Sequence, residues 1–453
     1  MSIAIQTAIY ITALLVATVL VLSGVVSLYG CLWIGLILYA GLLGLAWRTF
    51  DGGRHPCFLF LAMLLLFQMG RLVGYALGAT ADPFNVVVQS PIPVTVSPAA
   101  SEITILLVLV SATILCTVCA WNAPRITLDP GWEQSWLPAC YVLLVLSFPF
   151  VLYKNYMYFQ FIRSHGGYLA IFTDSDAVAK SAGTLVRVMS LMAANAFLLV
   201  YLIERRAGRL AFVTSAYLST SVLELLIGLR GKVFLFLLTL WFLHNLKTGK
   251  RFRLGALATV VLAGSFAAVA VSGFREMHST AVTGPVAFVA GQGISMGVTQ
   301  IAVQYRPLFE PHVKTYLANE LLQAFYPGSH FGQGQLFDND ISVFLNVDAY
   351  RAGFGAGSSY LAEAWIAGGL LAVLIVSILI ALALRLLHRL GGNFLGAVLV
   401  AIVLPSLIYL PRAQLLSPIA NTLKTGLIFL PMLPVLAFIR WLLHDPDLDT
   451  VSS

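Results

Sequence analysis

The chain has 453 residues, of which 59% are hydrophobic and only 10% charged. An ordinary soluble domain carries about 25% charged residues, so a water-facing shell cannot be built from this composition and lipid must be the main solvent; the mean hydropathy of +0.91 agrees. The net charge of +7 does not point to nucleic acid, because the basic residues form no run with interleaved aromatics, and positive charge in cytoplasmic loops accounts for much of it.

A helix crosses a bilayer with roughly 20 apolar residues. Apolar runs predict spans at about 3–28, 31–47, 57–78, 102–121, 135–153, 185–203, 210–228, 233–246, 254–272, 358–384, 394–411 and 425–443. The run after MSIAIQT reads as the first span rather than a cleaved signal peptide, since no basic n-region precedes it and no small-residue cleavage site follows. No period of 20–50 residues stands out.

Orientation follows from the short loops. Arg48 and Arg54, then Arg205, Arg206 and Arg209, then Lys247, Lys250, Arg251 and Arg253, then Arg385 and Arg389 all become cytoplasmic if both termini are cytoplasmic. Four segments are then left outside. They are 79–101, with no Lys or Arg; 154–184, aromatic and amphipathic, which suits the interface; 273–357, the largest; and 412–424. The expected architecture is an all-α integral membrane protein of about twelve transmembrane helices. Spans 1–9 lie in 1–272 and a large periplasmic loop fills 273–357, with helices at 283–303 and 312–326 docked on the membrane body. Spans 10–12 and a short cytoplasmic tail fill 358–453.

The five cysteines, Cys31, Cys57, Cys116, Cys119 and Cys140, fall in or beside apolar segments. Cys116 and Cys119 form a CxxC inside a hydrophobic helix with no second pair, so packing is the expected role and no disulfide framework follows.

Six basic residues gather against the positive-inside trend. Arg71, Arg187, Arg230, Lys232, Arg275 and Arg412 fall at about one depth, the outer headgroup level. A single arginine there merely snorkels. Six from separate spans point to a polar cavity, and guanidinium forks suit phosphate oxygens. A lipid-linked diphosphate in the outer leaflet is the ligand such a cluster fits. Glu224 is the only acidic residue well inside a span. It reads either as a structural ion pair with Arg187 or Arg71, or as a carboxylate able to take a proton.

The segment RAGFGAGSSYLAEAW places Gly353, Gly355 and Gly357 before Ser358, Ser359 and a helix. Backbone amides at such a helix start bind anions, and a plain loop-to-helix joint fits equally. Glu363 lies one turn inside that helix. In the long loop, His278, His312, His330, Asp338, Asp340 and Asp348 show no zinc spacing, the DND motif is a poor calcium signal, and no metal is expected. Tyr305, Phe325, Tyr326 and Phe331 suit sugar stacking or membrane anchoring. With no HExxH or Walker motif in the chain, a substrate must arrive already activated.

Four stretches resemble the Wzy-type oligosaccharide repeat-unit polymerases, which assemble O-antigen and related polysaccharides. They are IGLRGKVFLFLLTL, GFGAGSSYLAEAWIAGGLLAVL, LPRAQLLSPIANTLK and the aromatic run ending in FTDSDAVAK. Lys232 directly after Arg-Gly departs from stricter versions of the pattern. The resemblance implies a fold like the glycosyltransferase C superfamily and catalysis at the periplasmic face of the inner membrane, without nucleotide sugar, metal or cofactor. The growing glycan would move from undecaprenyl diphosphate to a new lipid-linked repeat. A Wzz-type chain-length regulator and a flippase would be partners. On this reading Arg230, Arg275 and Arg412, with Lys232 and Arg187, stabilise the leaving diphosphate. Glu363, then Glu224, are the candidate bases. Arg163, His165, Arg351, Tyr360 and Arg306 would hold glycan or acceptor. Two alternatives remain: an O-antigen ligase that transfers the same donor to lipid A core, and a polytopic transporter, which repeats and broken helices would favour.

Overall fold

The computed structural model describes residues 3–79, 82–84, 94–121, 132–164, 182–227, 230–249, 255, 284–325, 336–351, 353 and 355–443. Among them the chain is helical, with no β-strand. The first part carries α1 (Ile3–Leu22), α2 (Leu28–Thr49), α3 (Pro56–Gln68), α4 (Gly70–Ala76) and α5 (Pro98–Ala120). Then come α6 (Leu137–Ser164), α7 (Thr184–Ile203), α8 (Ala207–Leu226) and α9 (Arg230–Thr248). The middle supplies α10 (Pro285–Gln292), α11 (Ile294–Gln304), α12 (Arg306–Phe309), α13 (Val313–Phe325), α14 (Phe337–Leu345) and α15 (Val347–Arg351). The chain ends with α16 (Tyr360–Leu390), α17 (Phe394–Tyr409) and α18 (Ser417–Leu443).

Starts are set by local chemistry. Ser27 Oγ accepts from Gly30 N, and Ser97 Oγ from Ala100 N, both at 3.2 Å. Pro98 follows its cap in the first turn, where its missing N–H costs nothing. Asn393 caps α17 in the same way, accepting from Gly396 N at 2.7 Å.

Among the described residues nine helical segments are long and apolar enough to cross a membrane, and the bent pair α3–α4 makes a tenth. The protein is a multi-pass membrane protein. Its lipid-facing helices expose large aliphatics that water would not tolerate, such as Leu371, Leu379 and Leu386 on α16 and Leu427, Leu430 and Phe438 on α18. The count differs from the expected twelve for three reasons. The predicted span at 254–272 lies outside the described residues. Helices α8 and α9 form where spans are predicted, but with Arg209, Glu224, Lys232 and Lys247 they are less apolar than the nine. Conversely Pro285–Gln304, assigned from sequence to the outer loop, is apolar enough to cross, and Ser295 to Ala302 within it are buried.

The core forms where α6 packs along α7 and where α16 and α2 pack along α5. Tyr39, Phe60, Phe197 and Tyr360 are among its largest fully buried side chains. Polar pins join helices inside it: Ser111 Oγ lies 2.7 Å from both Tyr360 Oη and Ser377 Oγ, tying α5 to α16. Two broken helices nest against each other. The chain bends 67° between α3 and α4, and this bend meets the break at Gly293 between α10 and α11. A Cβ on Gly70 would fall 2.7 Å from Val289 O, on Gly74 2.4 Å from Ala290 Cβ, and on Gly293 2.4 Å from Arg71 N. Only glycine permits that approach.

The bend delivers Gln68. Its Nε2 donates to Ser359 Oγ at 2.9 Å and Pro411 O at 2.8 Å, and its Oε1 accepts from Thr299 Oγ1 at 3.1 Å. One buried amide thus fixes the start of α16, the end of α17 and helix α11 relative to α3.

Candidate functional site: a basic cavity where helix ends meet

A cavity of about 1260 Å³ opens where α6, α8 and α17 end and α9 and α18 begin, closed on one side by α14, α15 and the glycine loop before α16. Its charged lining is Lys154, Lys232, Arg351, Arg412 and Lys424 against Glu224 and Asp338. Arg187 of α7 lies within electrostatic range of Lys154 and Lys424. An excess of fixed positive charge in a low-dielectric pocket selects a polyanion.

Each cation is positioned by the fold. Lys232, in the first turn of α9, reaches back over the end of α8 and donates to Glu224 Oε1 at 2.8 Å, while Lys154 Nζ stands 3.9 Å from the same oxygen. This corrects the expected pairing of Glu224 with Arg187 or Arg71. Arg71 is held at the α3–α4 bend, its backbone against Gly293. Arg412 follows α17. Its Nη1 donates to Gln292 Oε1 at 3.0 Å and its guanidinium lies 5.6 Å from the Phe67 ring centroid. Gln292 and Phe67 are uncharged, so these contacts hold the guanidinium without neutralising it.

The glycine loop lies directly beside Arg412. Gly353 and Gly357 have φ of +92° and +77°, a region that side chains disfavour. At Gly357 a Cβ would lie 3.7 Å from Arg412 O. Gly353, Gly355, Gly357 and Ser358 all line the cavity, and Ser359 Oγ caps α16 by accepting from Leu361 N at 3.2 Å.

Carboxyls sit beside and behind this wall. Asp338 lines the cavity and accepts from Gln414 Nε2 at 2.9 Å. Asp340 accepts instead from Tyr316 Oη at 2.7 Å, so the two carboxylates of DND serve different partners. Glu363, 3% exposed, is not in the lining but behind Ser358. It accepts from Ser358 Oγ and, at 2.9 Å, from Leu415 N. Glu320 of α13, 1% exposed, accepts from Leu416 N at 2.7 Å. Burial, and then the neighbouring Glu363, push the Glu320 carboxyl up to about 11, so it keeps its proton at neutral pH. The two carboxyls hydrogen-bond to each other. With both ionised, Glu320 Oε1 would be buried without a donor, and the retained proton removes that conflict.

Residues 5–444 match the family described as O-antigen polysaccharide polymerase Wzy. The chain belongs to that family. No curated protein and no solved structure matches it. Family membership gives this Wzy-family chain a polysaccharide polymerase role in O-antigen assembly.

Within this Wzy-family chain the fold brings together only some of the residues singled out from sequence. Lys232, Arg412, Arg351 and Glu224 line the cavity, and Arg187 stands near it. Glu363 is one layer behind. Arg163 is exposed at the end of α6 and is not part of the lining. Tyr360 does not reach the cavity, because the phase of α16 turns it inward against Phe60 and Ser111. Arg306 lies against the kink of α16, its Nη1 3.1 Å from where a Cβ on Gly369 would be, and pairs with Glu310 at 3.0 Å. Arg275, His165 and the side chain of Arg230 lie outside the described residues. Sequence reasoning missed Lys154, Lys424 and Asp338 as site residues. The two lysines were findable, since they flank the predicted spans 135–153 and 425–443 as Lys232 and Arg412 flank theirs. Asp338 carries no local signal.

Proposed function

We propose that this protein polymerises undecaprenyl-diphosphate-linked oligosaccharide repeat units at the periplasmic face of the bacterial inner membrane, and that the basic cavity holds the donor diphosphate. The observation that carries this reading is the convergence of Lys154, Lys232, Lys424 and Arg412, from four different places in the chain, on one cavity. A diphosphate leaving group gains charge as its glycosidic bond breaks, and preorganised cations facing that charge lower the barrier. Arg187 adds to the field, with Arg230 and Arg275 as further candidates. Arg351 and Tyr350 at the rim are placed to position glycan.

The acceptor hydroxyl must lose a proton as it attacks the anomeric carbon. Asp338 is the better base, because it faces the cavity while Glu363 is covered and Glu224 is neutralised by two lysines. Glu363 acts as a positioning residue, fixing Ser358 and the 412–416 loop. The new glycosidic bond forms as the bond to the carrier breaks, the diphosphate leaves as the anion, and Asp338 takes the hydroxyl proton. A Wzz-type regulator and a flippase would set length and supply acceptor.

The test is a gel of surface and lipid-linked glycan from cells lacking the gene, complemented with wild type or variants. Loss of the ladder to a single repeat on lipid A core, restored by wild type, is the expected result. Long polymer left unattached on its carrier would overturn the reading in favour of a ligase, and unchanged glycan would exclude both.

A further inference from the structure

At the end of the bundle away from the cavity, the fold assembles three soft ligands that sequence spacing does not reveal. His55, just before α3, Cys57 in its first turn and Cys119 near the end of α5 each place one ligand atom within 4.8 Å of the others. All three are buried, at 1%, 0% and 0% exposure. Cys116, the other half of the CxxC, is not in the group, so the local motif is misleading and the long-range convergence is what counts.

Their present interactions are weak. Cys57 Sγ reaches Leu115 O at 3.5 Å and Cys119 Sγ reaches Ala381 O at 3.4 Å. His55 Nδ1 faces Cys57 N at 3.1 Å, and His55 Nε2 is buried with no hydrogen-bond partner. A buried polar nitrogen left unsatisfied is costly. The ring of His388, near the end of α16, lies 4.2 Å from the His55 ring, so a second imidazole is adjacent.

We propose that His55, Cys57 and Cys119 bind a divalent thiophilic cation, Zn(II) in character, with the His388 side open to a fourth ligand. Two thiolates and a neutral imidazole around a divalent cation make a site of zero net charge, the form a buried environment tolerates. Thiolate and imidazole together are the donor set such a metal prefers. Zinc–sulfur bonds of about 2.3 Å and zinc–nitrogen bonds of about 2.0 Å bring neighbouring ligand atoms to roughly 3.5–3.8 Å, a closure of about 1 Å from the separation here. The cation clamps the start of α3 to the end of α5. The other end of α3 holds Gln68 on Ser359, the residue that begins α16 at the cavity wall.

The full-length protein, purified in detergent under reducing conditions, is assayed for bound metals by mass spectrometry, as isolated and after incubation with Zn(II) alone. Near-stoichiometric zinc is expected in wild type and in a Cys140→Ser control, falling to background in Cys57→Ser/Cys119→Ser. Should the double variant fail to accumulate, Co(II) added to chelator-treated wild type decides: a thiolate-to-cobalt charge-transfer band is expected. Absence of that band, zinc no higher in wild type than in the double variant, copper in place of zinc, or a native Cys57–Cys119 disulfide in peptide mapping would each overturn the assignment.

Discussion

Glu363 and Glu320 meet behind the cavity wall, each accepting from one of two consecutive backbone amides, those of Leu415 and Leu416. The loop between them and α17 also carries Arg412, facing the cavity, and Gln414, bonded to Asp338. The carboxyl pair therefore sets the height of a cation and of a carboxylate that face the same space.

The retained proton on Glu320 makes stability pH-dependent with a definite sign. Its folded value of about 11 lies above that of an exposed glutamate, about 4.3. The contribution is complete below the unfolded value and is lost as pH rises through the folded one. Stability should decline from mildly acid to alkaline pH. Glu320→Gln, which keeps a donor toward Glu363, should flatten that decline and melt on the order of a few degrees higher at about pH 8, with no gain near pH 4. Thermal melts in detergent across that range check it, and an unchanged pH slope would sink the assignment of the proton.

The cations should separate by position. Arg412→Ala removes a guanidinium held by uncharged partners, and loss of one such group from a preorganised site costs about 10²–10³ in rate. Arg412→Lys keeps charge but not the fork that meets Gln292, so it should fall between. Lys232→Ala should cost less, because Lys154 remains 3.9 Å from Glu224. Arg163→Ala, outside the lining, should leave polymer length unchanged. Ladder analysis in complemented cells, beside immunoblots for membrane insertion, ranks the four, and a null effect at Arg412 would remove it from the site.

Much of this site was legible because membrane depth is written into the sequence. Arg412 and Lys232 are basic residues at helix ends on the side where positive charge is not expected, and both reach the cavity. The partners were not legible. Glu224 pairs with Lys232, eight residues further on in the first turn of α9, and with Lys154 because α6 runs on to Ser164 rather than stopping at 153. Aromatic residues from Tyr153 to Phe161 disguised that last stretch of helix as an interfacial segment. Tyr360 was misplaced for a different reason. It begins α16 right after the glycine loop, but helix phase and the Ser111 hydroxyl turn it into the core. Helices α10 and α11 were read as a helix of the outer loop docked on the membrane body, because glycines dilute their apolar run, and Gly293 between them is what lets α11 enter the core.

Asp338 and Glu363 can be told apart by chemistry rather than position. Asp338→Asn keeps size and a hydrogen-bond partner for Gln414 but cannot take a proton, and loss of a general base costs about 10²–10⁴-fold. Glu363→Gln can still accept from Leu415 N through its one carbonyl oxygen while its amide donates to Ser358 Oγ, so activity should survive with a changed pH profile. In vitro polymerisation of lipid-linked repeats across pH distinguishes them. The reverse ranking would return the base to Glu363.

The glycine nest gives the sharpest structural forecast. A methyl on Gly74 would sit 2.4 Å from Ala290 Cβ, and one on Gly293 2.4 Å from Arg71 N. Neither obstacle is the flexible tip of a side chain, so relief requires the α3–α4 bend and the α10–α11 break to separate. Overpacking of this kind costs about 1–3 kcal/mol, and more where backbone is the obstacle. Gly291, two residues before Gly293 on α10, meets nothing within 4 Å, and Gly→Ala in an open helical position is favourable by roughly 0.5–1 kcal/mol. Gly74→Ala and Gly293→Ala should therefore lower the melting temperature and shorten or abolish the polymer ladder, because separation of the nest displaces Gln68 from Ser359 and Pro411. Gly291→Ala should leave both readouts at or slightly above wild type. Equal tolerance at all three positions would mean that the two breaks do not nest, and that Gln68 is held at the cavity wall by something other than the bend.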